Sequence, residues 1–289
     1  MAEQLRLFTS MRFDWNLEPV RDMSSRIFDW NADMPSPFYM LDYHRDRMLK
    51  AAEHWGWTSA VKTIKGVDGL ARLHSFLKET LEQEGRWDNL EQPLRLKILL
   101  SEDGQLALES NPVPKTSLSN LFPTALPAPD IEEGNQMEGW QLGPLNLVPV
   151  YDVYVDHNST QESELTHFKT TKREMYDQAR ERACLKPTDV TKEVLIVNKE
   201  TSLIMEGSLT TPYFWRGGRW VTPPVSWVLK DRVWEGYGGQ DGTTRRWALK
   251  AGIAELEDVK VSDLVDDEPV WLSNGVRGFV FGRIRLSKP

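Results

Sequence analysis

Cysteine is almost absent. The 289 residues hold one, Cys184, which excludes an internal disulfide framework and any cysteine-rich zinc or iron–sulfur site, and is compatible with a reducing compartment. Histidine is scarce too: His44, His54, His74, His157 and His167 show no paired ligand spacing, so a metal hydrolase lacks its usual ligands and no metal is expected. No apolar run approaches the roughly 20 residues that cross a bilayer. The start, Met1-Ala2-Glu3-Gln4, has no basic region followed by an apolar core, so no secretion signal is expected. Positive charge is in deficit, with 35 Lys and Arg against 43 Asp and Glu, and the net charge of −8 repels a phosphate backbone. These absences point to a cytoplasmic protein with neither a membrane nor a nucleic-acid partner.

Core-forming residues are plentiful. A hydrophobic share of 40% and a charged share of 27% are those of a globular protein rather than a disordered one. The length is too great for one small core, so two domains sharing a cleft are expected. Leu5 to Phe13 and Phe38 to Leu41 read as strands. A helix starts near Asp42, keeps Met48, Leu49, Ala52 and Trp55 at helical spacing, and stops at Gly56. Gly69 to Glu84 reads as a second helix, and Leu94 to Leu100 and Leu106 to Ser110 as strands around the turn Glu102-Asp103-Gly104. From Asn111 to about Gly143 prolines and short polar clusters crowd the chain, as in a linker. Beyond it, Val148–Val155, Val194–Asn198, Tyr213–Trp215, Trp220–Thr222 and Val270–Ser273 are short and β-branched or aromatic, as strands are. Helices are expected over Arg173–Ala183 and Thr244–Ala251. The expected division is residues 1–118, a linker at 119–143, and residues 144–289.

Five short segments could carry chemistry. In Thr166-His167-Phe168-Lys169-Thr170-Thr171-Lys172-Arg173, Lys169 falls near a strand end just before a helix. A nucleophilic lysine must expose its neutral amine, and the cations Lys172 and Arg173 could lower its proton affinity; alone, the segment reads first as a solvated lysine in a charged turn. Met205-Glu206-Gly207-Ser208-Leu209-Thr210-Thr211-Pro212 sets a carboxylate in a tight, hydroxyl-rich turn suited to a pyridinium nitrogen, or simply a capped hairpin. Gly238-Gly239-Gln240-Asp241-Gly242-Thr243-Thr244-Arg245-Arg246 opens a helix with glycines and threonines, as an anion site or a plain threonine cap does. His44 and Arg47, three apart, share a helix face. Finally, Val270-Trp271-Leu272-Ser273-Asn274-Gly275-Val276-Arg277-Gly278 leads a buried strand into a polar turn.

In this order the segments resemble the fold type IV enzymes dependent on pyridoxal 5′-phosphate (PLP), the class IV aminotransferase family. That family includes branched-chain and D-amino acid aminotransferases and 4-amino-4-deoxychorismate lyases. The matching run is His-x-x-Arg, Lys, Glu-Gly-Ser, Gly-x-Thr-Arg and Leu-x-Asn-x-x-x-Gly, from about residue 5 to the C-terminus. The resemblance implies a two-domain α+β fold, a small N-terminal α/β domain and a larger strand-rich C-terminal one with the active site between them, and a homodimer. It implies PLP as cofactor, Lys169 as the Schiff-base lysine, Glu206 as partner of the pyridine nitrogen, and Arg47, Thr243 and Thr244 as the phosphate clamp. Ser208, Leu209, Thr210 and Gly242 complete the implied cofactor contacts. Thr9, Arg12, Arg173, Asn274 and Arg277 are the implied substrate contacts.

Phe8-Thr9-Ser10-Met11-Arg12 and Lys169-Thr170-Thr171-Lys172-Arg173 look like the lyase branch of the family, in particular its fungal members. The implied reaction releases pyruvate from 4-amino-4-deoxychorismate to form 4-aminobenzoate. An aminotransferase using the same Lys169 is the alternative, and a non-catalytic scaffold a second one. The sequence departs from the pattern in lacking the usual leading Gly-Asp-Gly segment, in carrying Thr211 where many members have Asn, and in carrying Lys172 in place of the lyase asparagine.

Overall fold

The computed structural model describes residues 4–18, 36–129, 142–225, 227–230, 233–236 and 238–287. Two compact units emerge: Met1–Lys115 with Phe168–Lys172, and Thr116–His167 with Arg173–Pro289.

The first unit is built on a three-stranded antiparallel sheet of β1 (Leu7–Phe13), β2 (Leu94–Leu100) and β3 (Leu106–Pro112), with β2 central. Leu94, Leu96, Ile98 and Leu100 of β2 are buried at a period of two, and Leu99 is buried on the opposite face. Helices α1 (Leu41–His54), α2 (Thr58–Ile64) and α3 (Gly66–Gln83) supply the other layer. On α3 the buried residues are Gly69, Leu73, Leu77 and Leu81, a stripe at spacing four. Glycine is required at 69, because a Cβ there would lie 2.1 Å from the Ile64 carbonyl carbon.

Two expectations in this unit need correction. Phe38–Leu41 is not a strand: Phe38 makes a lone bridge to Phe13, and Met40 turns into the left-handed region at φ 56° as the N-cap of α1. Its backbone pairs with the end of β1 through Asp14 N–H to the Pro37 carbonyl and Tyr39 N–H to the Arg12 carbonyl, and that pairing is too short for a strand. Lys169 likewise follows no strand; its segment contributes the single bridge Leu7↔Thr170. Helix α2 has no counterpart among the expected elements.

The second unit holds an eight-stranded mixed sheet, in the order β11, β8, β7, β12, β13, β4, β5, β6. Its strands are β4 (Tyr151–Thr160), β5 (Lys192–Asn198), β6 (Ile204–Gly207), β7 (Thr211–Arg216), β8 (Arg219–Thr222), β11 (Glu255–Leu256), β12 (Pro269–Asn274) and β13 (Gly278–Arg285). The pair β9 (Trp227–Lys230) and β10 (Val233–Gly236) forms a separate ribbon. Around the sheet are α4 (Leu118–Leu121), α5 (Glu164–His167), α6 (Glu174–Arg182) and α7 (Thr243–Lys250).

Strand β5 is buried on both faces. Leu195 and Val197 join a cluster with Val153, Phe214, Val270 and Leu272, while Val194 and Ile196 pack with Tyr176, Ala179 and Ala183 of the α6 region. Residues 116–129 pack within this unit: Leu121 and Phe122 are buried, and the Trp220 indole N–H donates to the Leu126 carbonyl at 3.0 Å. Part of the proline-rich stretch, 130–141, lies outside the described residues. Strand β4 begins at Tyr151 rather than Val148, since Val148 and Val150 are exposed and Pro149 offers no N–H to a ladder. The architecture is the α+β fold expected from sequence.

Candidate active site

In the first unit, Lys169 belongs to a short segment held to β1 by its main chain. Phe8 N–H donates to the Lys169 carbonyl at 3.0 Å, Thr171 N–H donates to the Arg6 carbonyl at 2.9 Å, and Arg6 N–H donates to Thr171 Oγ1 at 3.1 Å. The Lys169 ammonium stands 5.0 Å from the centre of the Phe8 ring, within cation–π range. One residue earlier, Phe168 is buried against His54 and Trp55, with ring centroids at 4.6 and 5.1 Å.

His44 and Arg47 meet as their spacing on α1 requires: Thr9 Oγ1 on β1 contacts His44 Nδ1 at 2.5 Å and accepts from Arg47 Nη2 at 2.5 Å. Arg12 is placed differently. It is 1% exposed, its guanidinium donates to Asp14 Oδ2 at 2.9 Å and to the Pro114 carbonyl at 3.1 Å, and the buried pair pins the end of β1. Burial lowers the Arg12 pKa, and the Asp14 charge opposes that shift.

In the second unit, Glu206 lies near the end of β6 at 7% exposure. Its carboxylate accepts from the Tyr176 hydroxyl on Oε1 at 2.5 Å and from the Gln240 backbone N–H on Oε2 at 3.2 Å. Gln240 Nε2 donates to the Tyr176 oxygen at 3.1 Å, and the Thr166 carbonyl stands 3.1 Å from the same phenol. Burial above all, then the Glu206 charge, raises the Tyr176 pKa well above the ordinary phenol range, so it remains a donor.

The turn after Glu206 is clamped from below by Glu193, 2% exposed at the start of β5. Its carboxylate accepts from Ser208 Oγ at 2.6 Å, Thr210 Oγ1 at 2.8 Å, and the backbone N–H groups of Leu209 at 3.1 Å and Val194 at 2.8 Å. Arg173 donates to the Ser208 carbonyl at 2.8 Å, and Arg180 to Ser208 Oγ at 3.1 Å. At the tip, the Leu209 side chain is 41% exposed among buried neighbours, leaving an apolar surface for a planar ring.

Helix α7 starts behind Gly242, whose N-cap position carries no side-chain cap, so the first-turn N–H groups are not satisfied that way. A Cβ at Gly242 would stand 3.0 Å from Thr211 Oγ1, tight enough that a larger residue would press on the turn. Thr243 and Thr244 are each 1% exposed. A hydroxyl chain runs behind them: Tyr213 to Ser273 at 2.9 Å, then Ser273 to Thr244 at 2.8 Å. Burial raises the Tyr213 pKa, so its phenol keeps its proton. In the neighbouring turn, Asn274 Oδ1 accepts from the N–H groups of Val276 and Arg277 at 3.0 and 2.9 Å, and its Nδ2 donates to the Leu209 carbonyl at 3.3 Å. The Arg277 guanidinium lies 5.9 Å from the Tyr151 ring centre.

Glu193, Tyr176 and Tyr213 do not stand out in the sequence, and neither Gln240 nor Ser273 has an evident role there. One signal exists: Glu193 opens the otherwise apolar run Val194-Leu195-Ile196-Val197, where a charge needs partners. Tyr176 shows no comparable signal, because its side-chain partners Glu206 and Gln240 are 30 and 64 positions away.

In the second unit, a helix N-terminus with buried threonines, a buried carboxylate and an exposed leucine surface together suit a ligand that is anionic at one end and a flat, basic heterocycle at the other. That is the chemistry of an enzyme that works with PLP. The chain belongs to the class IV aminotransferase family, whose model matches residues 29–283. PLP is the cofactor of that family and of this enzyme. The donor set described above fits it, with Gln240 bringing the turn before α7 directly onto Glu206. Among curated proteins, the chain is 25% identical to the aminodeoxychorismate lyase of Saccharomyces cerevisiae (strain ATCC 204508 / S288c) over 94% of its own length and 74% of the relative's. The solved structures that share the fold include two aminotransferases. One is the branched-chain aminotransferase of Thermoproteus uzoniensis with norvaline, at 17% identity and TM-score 0.58, covering 99% of this chain and 80% of that one. The other is a T.th. branched-chain amino acid aminotransferase complexed with N-(5′-phosphopyridoxyl)-L-glutamate, at 12% identity and TM-score 0.53, covering 98% and 77%. Among the described residues, no helix is long and apolar enough to cross a membrane, and no His, Cys, Asp and Glu cluster is placed to hold a metal.

Proposed function

We propose that this enzyme is a 4-amino-4-deoxychorismate lyase, converting that diacid to 4-aminobenzoate and pyruvate. The observation that carries the reading is the similarity to the yeast aminodeoxychorismate lyase across 94% of the chain. Lys169 supplies the amine that holds the cofactor. Glu206 would partner the pyridine nitrogen, Leu209 would offer its apolar surface to the ring, and Thr243, Thr244 and the first-turn amides of α7 would take the phosphate, with Arg47 as a further cation. Ser208, Thr210 and Gly242 shape the backbone around them. Bound PLP supplies the electron sink that makes the proton on the amine-bearing carbon acidic.

Lys169, once released by the substrate's own amine, is the base that takes this proton. Loss of the proton and breakage of the ring carbon–oxygen bond aromatise the ring and release pyruvate as its enolate. The Lys169 ammonium then returns its proton to the methylene carbon, so atoms and charge balance without water or a redox partner. Thr9, Arg173, Asn274 and Arg277 remain the candidates for binding the substrate carboxylates. Arg12, which donates to Asp14 and to the Pro114 carbonyl, would act on them through the position of β1.

The test is a coupled assay with chorismate, glutamine and an aminating synthase, run with wild type and Lys169→Ala. Formation of 4-aminobenzoate by wild type alone supports the lyase; none from wild type overturns it. The fold shared with branched-chain aminotransferases favours a second reading, amino-group transfer through the same Lys169. Conversion of the bound cofactor to its pyridoxamine form by an amino acid would establish that reading instead. A cytoplasmic homodimer is part of the proposal, and light scattering of the holoenzyme checks the stoichiometry.

A further inference from the structure

Glu206 can serve a pyridine nitrogen only if its own proton affinity is controlled, because a buried carboxylate without donors tends to become a neutral acid. Its exposure of 7% makes that tendency real. The Gln240 N–H and the Tyr176 hydroxyl oppose it, and the phenol is the shorter contact, 2.5 Å against 3.2 Å. Tyr176 is well placed for the task. It is 1% exposed, packed among Ala179, Val194, Ile196 and Met205, and it has a guanidinium over its ring, Arg173 at 4.6 Å. Gln240 Nε2 donates to the phenol oxygen, which polarises the O–H toward whatever it faces. The alternative acceptor, the Thr166 carbonyl at 3.1 Å, is neutral and farther than the carboxylate, so the single phenolic proton goes to Glu206.

We propose that Tyr176, oriented by Gln240, is the positioning residue that keeps Glu206 ionised, and thereby keeps the proton on the cofactor's pyridine nitrogen rather than on the carboxylate. The assignment rests on the reading of Glu206 as that nitrogen's partner. It concerns how the proton is held and is independent of whether the enzyme eliminates or transfers an amino group. Without the phenol, Glu206 becomes the stronger base of the pair, the proton moves to it, and the ring loses electron-withdrawing power. Among the charged groups that act on the pair are Arg173 over the Tyr176 ring and Arg245, which feels the Glu206 charge. Both cations favour the ionised carboxylate.

The experiment reads the ¹⁵N resonance of the pyridine nitrogen in holoenzyme reconstituted with ¹⁵N-labelled PLP. Wild type is expected at the protonated position. Tyr176→Phe should move the resonance toward the unprotonated position, and Gln240→Met should move it in the same sense by less. Glu206→Gln should move it fully. If Glu206→Gln shifts the signal while Tyr176→Phe leaves it in place, the role of Tyr176 is overturned and that of Glu206 stands. If Glu206→Gln leaves it in place, both fall. Should Tyr176→Phe fail to fold by circular dichroism, Gln240→Met decides: an unmoved resonance there overturns the proposal, because a purely structural role for Tyr176 predicts no change.

Discussion

The segment that carries Lys169 and the turn that follows Glu206 are held by different means. Lys169 sits on a stretch tied to β1 and Arg6 through the main-chain bonds of Phe8 and Thr171, with Arg6 N–H also donating to the Thr171 hydroxyl and the Phe8 ring near the Lys169 ammonium. Glu206 and its turn are held by buried side chains: Tyr176, itself bonded by Gln240, on the carboxylate, and Glu193 beneath Ser208, Leu209 and Thr210. Main-chain pairing tolerates substitution around the reactive residue, because any L-residue other than proline supplies the same N–H and C=O. A buried side-chain network does not, because deleting one member strands the others without partners. On the proposed roles, the reactive lysine stands on a forgiving support and the partner of the cofactor nitrogen on an exacting one.

Substitutions in each region put this contrast at risk. Lys169→Ala should abolish borohydride-fixed PLP and reduce turnover on the order of a thousandfold or more, the scale of losing a positioned base; retention of fixed cofactor would mean another lysine holds it. Glu193→Ala should cost roughly 3 kcal/mol in urea unfolding, since the hydroxyls of Ser208 and Thr210 and the Leu209 N–H lose their shared acceptor. A loss under about 1 kcal/mol would show that the turn needs no support from below. Ser273→Ala interrupts the hydroxyl chain behind Thr244 and should weaken PLP binding by about fivefold, read by equilibrium titration of apoenzyme.

Thr171→Val tests the opposite region. It removes one acceptor for Arg6 N–H while leaving the Phe8 and Thr171 backbone bonds in place, so stability should fall by about 1 kcal/mol with covalent PLP attachment intact. Loss of attachment would mean that side chains, too, position Lys169. The smallest effect concerns His74, beside Phe38 in the first unit. Burial first, then the Lys78 charge, holds its pKa below the ordinary 6.5. The unfolded chain therefore binds more protons there, and stability should fall as pH drops through about 6.5 toward the folded value. His74→Leu should flatten that part of the stability–pH curve, and an unchanged slope would assign it to other groups.

Much of the fold is legible in the chain because it depends on local periodicity. The alternation through Leu94-Arg95-Leu96-Lys97-Ile98 and the apolar run Val194–Val197 both become strands, and the Leu73, Leu77 and Leu81 spacing becomes a buried helix face. Strand β13 escapes a sequence reading because Gly278, Gly282 and the alternating arginines look like a turn. It is nonetheless central, paired with β12 on one side and β4 on the other. The aromatic run at Phe38 misleads for the converse reason, its composition favouring a strand where the fold provides a single bridge.

Which groups could do chemistry, and to what family they belong, is written in the chain alone, since the order of the lysine, Glu-Gly-Ser and Gly-x-Thr-Arg segments needs no folding to be read. What governs the proton on Glu206, what holds up the turn after it, and the engagement of Arg12 in a buried pair emerge only once the chain is folded. The physical reason is sequence distance. Motifs are read over a few residues, whereas the polarity of a buried carboxylate is set by donors that folding brings from 30 or more positions away.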